Sequence, residues 1–193
     1  MLLQSGQEEW RETAYKQFGR LCRDVLEQGG ELIMSFKLVL LDQLAACHHD
    51  KSWFIPLDEM LRDVTAAQAA WTNDEGQSIW RLVHHLIFWN ERWLDRFIEG
   101  EVRMDHHIDN DETFYVDPSR VSEEEWQKSI ERVGSTFVHW IQAVQKSDDA
   151  KLALTIPSYF NAPWWNVISN VCIHNAYHIG QIMMLKKKVI ASA

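Results

Sequence analysis

Residues 164–188 read "WWNVISNVCIHNAYHIGQIMMLKKK". Apolar side chains recur there at Val167, Val171, Ile182 and Leu185, which is the spacing of a helix face rather than the alternation of a strand. Pro163 suits the first turn of such a helix, and Lys186 to Lys188 suit a last turn, where the backbone dipole favours cations. One long helix over 164–188 is predicted. His174 and His178 lie within its apolar face, offset by about 40° around the axis and about 6 Å along it, so they project side by side. A buried imidazole without a partner loses its water for nothing, so a metal ion or a hydrogen bond has to meet each ring. Spacing alone does not decide between these, because nine histidines in 193 residues give about 0.4 such pairs by chance.

Working outward, the same period governs the rest of the chain. Four prolines and eight glycines leave long uninterrupted segments, and these carry helical periodicity, so the class is all-α. Ser5 with Glu8 forms a capping pattern ahead of Trp10, Ala14, Phe18, Leu21 and Val25, predicting a helix over 7–28 that Gly29 and Gly30 end. An apolar helix follows over 31–47, then a loop through "HHDKSWFIP" and a short helical piece at 57–62. A third long helix is predicted over 78–99, closed by Gly100. Residues 101–121 are polar and aperiodic, a connection of unusual length. Ser122 with Glu125 caps a fourth helix over 123–146, and a loop bracketed by Pro157 and Pro163 leads to the last. The expected architecture is a four-helix bundle over 31–193 preceded by a helical extension over 1–30.

Composition narrows the function. A net charge of −9 opposes nucleic acid, which needs a positive footprint to displace counterions. No run of 18 apolar residues is present, and "MLLQSGQEEW" lacks the basic and apolar regions of a secretory signal, so no membrane span and a cytoplasmic location are expected. Cys22, Cys47 and Cys172 are odd in number and never spaced C-x-x-C, which argues against disulfides and against a thiolate zinc site. No G-x-S-x-G and no phosphate-binding glycine loop occurs. The segment "DHHIDND" (105–111) offers Asp105, His106, His107, Asp109 and Asp111, but a calcium loop starting at Asp109 would need Gly and Glu where Phe114 and Arg120 stand; it reads as a solvated loop at the rim of a site. His139, beside Trp140 in the fourth helix, reads as a buried, hydrogen-bonded histidine and a reserve ligand. His48 and His49 read as ordinary at a helix C-terminus. Core packing accounts for most of the ten tryptophans, with some left to wall an apolar pocket.

A third ligand beside His174 and His178 has to come from another helix. The 78–99 helix offers His84 and His85, which flank its apolar centre at Ile79, Val83, Leu86, Trp93 and Phe97 at equal distances on opposite sides, so periodicity does not choose between them. Here "SIWRLVHHLIFWNERW" (78–93), "PWWNVISNVCIHNAYHIGQI" (163–182) and "LDEMLRDVTAAQAAW" (57–71) together resemble the DinB-like (DinB/YfiT) superfamily over residues 31–188. Members carry one histidine before a Leu or Ile on the second core helix and H-x-x-x-H on the last. The resemblance implies a four-helix bundle, often a homodimer, with His85, His174 and His178 as ligands of a divalent metal, zinc or nickel, and His84 as a flanking residue. Gln181, on the same face as the pair, and Asn170, one turn before it, are candidates to orient a ligand or substrate. Asn90 and Glu91 follow His85.

Three neutral imidazoles leave a metal ion open positions, as in catalytic sites. Relatives of this kind include bacillithiol S-transferases and a mycothiol-dependent maleylpyruvate isomerase. The resemblance therefore implies a small-molecule enzyme in which the metal activates a low-molecular-weight thiol that attacks an electrophile. Metal-dependent hydrolysis is the alternative enzyme reading, and a stress-related binding or structural dimer is the non-enzymatic one.

Overall fold

The computed structural model describes residues 36–102 and 108–191. The predicted helix over 7–28, the extension over 1–30, Cys22, Asp105, His106 and His107 lie outside the described residues. Four long helices form the frame: α1 (Phe36–His48), α4 (Ile79–Glu99), α5 (Glu123–Lys146) and α7 (Trp164–Ala191). Short helices α2 (Leu57–Leu61), α3 (Ala66–Ala70) and α6 (Asp149–Ala153) occupy the connections. Contacts run α1 to α5, α5 to α4, α4 to α7 and α7 back to α1, a closed ring around one core. This is the all-α four-helix bundle that the periodicity predicts.

Local chemistry explains where the long helices begin and end. Ser78 accepts the Arg81 amide at the start of α4, and Gly100, at φ 80°, ends it by donating its N–H to the Arg96 carbonyl; glycine takes that left-handed conformation without steric cost. Ser122 likewise accepts the Glu125 amide at the start of α5. The reciprocal half of that capping pattern is not made, because the Glu125 carboxylate turns outward to Arg120 and Lys128. The full reciprocal box stands instead at Thr65 and Gln68, ahead of α3. Pro163 lies one residue outside α7, paired with Thr155 in a two-residue antiparallel ladder, Thr155–Ile156 with Ala162–Pro163. A tight turn closes this hairpin: Ala162 donates to the Tyr159 carbonyl across Phe160 and Asn161, both with positive φ, 54° and 53°. Asn tolerates the left-handed region, but an aromatic residue held there costs about 1–2 kcal/mol.

Large aromatic side chains fill the bundle, and the indoles of two of them tie neighbouring segments together, while that of Trp164 has no partner among the described residues. Trp126, Trp140, Trp164, Phe97 and Phe137 are fully buried. The indole of Trp126 donates to the Val64 carbonyl at 2.6 Å and that of Trp140 to the Asn90 carbonyl at 3.1 Å, so each anchors one helix to the backbone of another segment. His139, by contrast, points to solvent from α5 and is neither a core histidine nor near the other ring nitrogens described below. Its neighbour Trp140 takes the inward position, since adjacent residues on a helix lie about 100° apart.

Between α4 and α7 two buried asparagines face each other. Asn90 Nδ2 donates to Asn175 Oδ1 at 2.7 Å, and Asn175 Nδ2 donates back to Asn90 Oδ1 at 3.0 Å. Asn90 Nδ2 also reaches the Leu86 carbonyl at 2.8 Å. Both side chains are inaccessible to solvent, so truncating one strands the amide of the other. Asn175→Ala should lower stability by about 2–3 kcal/mol, read as a fall in the urea midpoint at unchanged slope. The double change Asn90→Leu with Asn175→Leu, which removes both amides, should recover part of that loss.

Candidate metal centre

The helix pair clamped by these amides carries the histidines. His85 on α4 is 2 % exposed, His178 on α7 is 7 % exposed, and His174 is half-buried between them. The Nε2 atoms of His85 and His178 each lie 3.1 Å from Nε2 of His174. Among the described residues these three are the group that could hold a metal ion. His84 stays outside this cluster and lines a groove with Glu91 and Arg132.

Hydrogen bonds at the far side of two rings fix which nitrogen carries the proton. Thr113 Oγ1 donates to the Asn110 carbonyl at 2.6 Å and so accepts at 2.6 Å from Nδ1–H of His85. Gln181 Nε2 donates to the Tyr177 hydroxyl, which turns Gln181 Oε1 to accept from Nδ1–H of His178 at 2.6 Å. Both Nε2 atoms are then lone pairs aimed at His174 Nε2. A single ring nitrogen donates at most one proton, so at least one of the two 3.1 Å contacts sets lone pair against lone pair. A cation at their centre removes that conflict. The edges also agree with the roughly 3.3 Å that separates two imidazole nitrogens held tetrahedrally at about 2.0–2.1 Å from one ion.

A proton is a poor substitute for that cation. Burial, reinforced by His178 and then His174, lowers the pKa of His85 to about 3, and burial followed by His178 lowers that of His174 to about 4. Burial also lowers His178, while its bond to Gln181 opposes the shift. All three rings are neutral near pH 7, the form in which imidazole ligates metals.

The 101–121 connection, expected to be solvated, does more than rim this centre. Its 3₁₀ turn Asp111–Phe114 delivers Thr113, 4 % exposed, to His85 and stacks Phe114 on the same ring at 3.8 Å between centroids, 9° from parallel. The signal was a Thr-Phe pair in a polar segment, which periodicity does not single out. Asp109 and Asp111 of the same loop satisfy a local turn. Asn170 lies on α7 one turn before His174; its side chain meets Asn166 at 3.4 Å and lines a cleft of about 250 Å³ shared with His174, Trp89, Trp93 and Tyr159. Trp80 and Trp164 are core residues. His48 stacks on Phe137, centroids 5.2 Å apart, far along the chain from the triad.

A family model described as the DinB superfamily matches residues 56–182. That span is more than half of the chain and includes all three converging histidines, so the chain belongs to this superfamily. No curated protein and no solved structure matches the chain. No helix among the described residues is long and apolar enough to cross a membrane.

Depressed imidazole pKa values set a direction for stability against pH. An unfolded chain protonates these rings below about pH 6.5, whereas the folded, metal-free chain resists until about pH 4 at His174 and about pH 3 at His85. The unfolded state therefore binds more protons throughout that window, and stability falls as pH falls through it. For metal-free protein, urea unfolding at pH 7 and pH 5 should show a loss of about 2 kcal/mol from His85 alone. His85→Asn should flatten the slope.

Proposed function

We propose that this member of the DinB superfamily holds one divalent metal ion, zinc or nickel, on His85, His174 and His178, and that it is an enzyme of S-transferase type acting on a low-molecular-weight thiol. The observation that carries the reading is the convergence of three neutral Nε2 atoms, at least two of them facing each other without a donor between them. Bound there by three protein ligands, such an ion keeps positions open and holds a thiol as thiolate at neutral pH.

The chain's own residues supply orientation and shelter. Thr113 and Gln181 keep the protons of His85 and His178 on Nδ1, which leaves Nε2 free and makes each ring a stronger donor. Phe114 covers one face of His85. No carboxylate joins the histidine cluster among the described residues. Metal-dependent hydrolysis commonly uses a carboxylate base to take the proton of its water, whereas a thiol held by the metal would already be thiolate at neutral pH, and this difference favours thiol transfer over a metal-dependent hydrolase.

The reading extends to a cytoplasmic homodimer. Ile173, Tyr177 and Met184 form an exposed stripe on α7, at the spacing of one helix face, and a second copy would cover it. Cys47 and Cys172 are free and buried, with burial pushing the Cys47 thiol up to about 12, as suits a reducing compartment.

Metal content by mass spectrometry, on protein purified without a nickel column or chelator, tests the ligand set. About one divalent ion per chain is expected in wild type and in His84→Ala, and none in His85→Ala or His174→Ala; equal content in wild type and His85→Ala would sink the assignment. Gln181→Ala should keep the ion but weaken its affinity about 10- to 100-fold. Metal-loaded protein that consumes neither thiols nor esters across a panel of electrophiles would leave a binding or structural dimer in place of an enzyme.

A further inference from the structure

Beside His174 runs the cleft of about 250 Å³ noted above. One wall is Trp89 and Trp93, four apart on α4. The opposite wall is Val167 and Val171, which with His174 fall at i, i+4 and i+7 on α7 and therefore share a face. Tyr159 closes one side, its ring edge-on to Trp93 with centroids 4.8 Å apart. The remaining lining groups are the amides of Asn110 and Asn170, and the Trp89 indole N–H is already directed to Asn110 Oδ1 at 3.3 Å. No charged side chain lines this space among the described residues.

At the tip of the adjoining hairpin stands Phe160. It is 90 % exposed, its backbone is left-handed at φ 54°, and its ring lies 5.2 Å from that of Tyr159. Turn chemistry favours Asn or Gly at such a position, and Asn161 obeys it. An aromatic residue there is strained and gains almost no burial in return. Strain of this kind, held beside a cleft, points to a contact that is completed only when the cleft is filled.

We infer that this cleft is the subsite for the electrophilic partner of the thiol, that it takes an uncharged, flat, apolar group, and that Phe160 is the side chain that caps it. An apolar cavity of about 150 Å³ already admits benzene, so the space fits one or two rings. With no cationic side chain among its described lining residues, an anionic group entering the metal-free cleft would shed water without a partner, which favours an uncharged occupant. Assignment of the cleft to the electrophile rests on the thiol-transfer reading; its affinity for flat apolar molecules does not.

The probe is 2-naphthol, titrated calorimetrically into the metal-loaded full chain and into the same protein stripped of metal, with 2-naphthoate alongside in the stripped sample. One naphthol per chain is expected in both forms, and little naphthoate binding. Phe160→Gly should weaken naphthol binding roughly threefold to tenfold while the melting temperature is retained or rises, because glycine accepts the left-handed turn. A residue kept for folding alone would lose stability and leave affinity untouched. Asn170→Trp, an exposed position at the lip, should block the cleft and abolish binding. Naphthol affinity unchanged in both variants, or naphthoate preferred in the stripped protein, overturns the inference. Metal content in the same preparations reports separately on the thiol-transfer reading: a wild type that binds naphthol but no metal refutes that reading and leaves the apolar cleft standing.

Discussion

Everything at the centre of this molecule depends on the register of two helices, and a pair of buried amides sets it. Asn90 and Asn175 exchange two hydrogen bonds in a space without water. Sliding α4 along α7 by one residue, about 1.5 Å, would break both bonds and leave Asn90 Oδ1 and both polar atoms of the Asn175 amide unpaired. Hydrophobic packing is far less selective, since large apolar faces accept many small displacements at similar energy. His85 stands five residues before Asn90, and His174 and His178 bracket Asn175. The amide pair is thus the fixed point from which the three rings are brought within hydrogen-bond distance of one another.

That arrangement places neutral bases where a protein interior would ordinarily tolerate none. Burial strips much of the water from the rings, two have their outer proton claimed by Thr113 and Gln181, and no carboxylate among the described residues joins the cluster. The energy that burial would return for apolar residues of the same size is given up to hold three lone pairs close together. Such a cluster resists protons and could hold a metal ion, which is the electrostatic logic of histidine metal sites.

Much of this was legible from residue order, and the exceptions have physical reasons. Helices α4 and α5 announce themselves through Ser78, Gly100, Ser122 and a strong 3.6-residue pattern, and their observed ends fall within a residue of expectation. The choice between His84 and His85 was invisible to periodicity, because both flank the apolar stripe; family resemblance pointed to His85, and the structure buries it. The 101–121 segment hid its contribution, since one threonine in a polar stretch carries no periodic signal and acts only through a ring 28 residues away. His139 faces solvent although Trp140 beside it is buried, because one step along a helix turns the side chain by about 100°. The short helix at Ala66–Ala70 and the two-residue ladder lie below the length at which periodicity speaks at all. Asn175 was passed over as one polar residue between two more conspicuous ones.

Thr113 gives the centre one further property. The bundle helices that carry the histidines draw their order from the whole core, but the residue that fixes the proton on His85 sits on a short 3₁₀ turn held by a few local bonds. Segments of that kind open with much smaller free energies than the scaffold on which they rest. Each opening releases the Nδ1–H of His85 from Thr113 and uncovers the face shielded by Phe114, while the three histidines stay on their helices. An ion held on the three rings would therefore respond to the fraying of a surface turn before any unfolding of the protein, and changes of sequence in that turn would retune the centre without altering any of the three histidines.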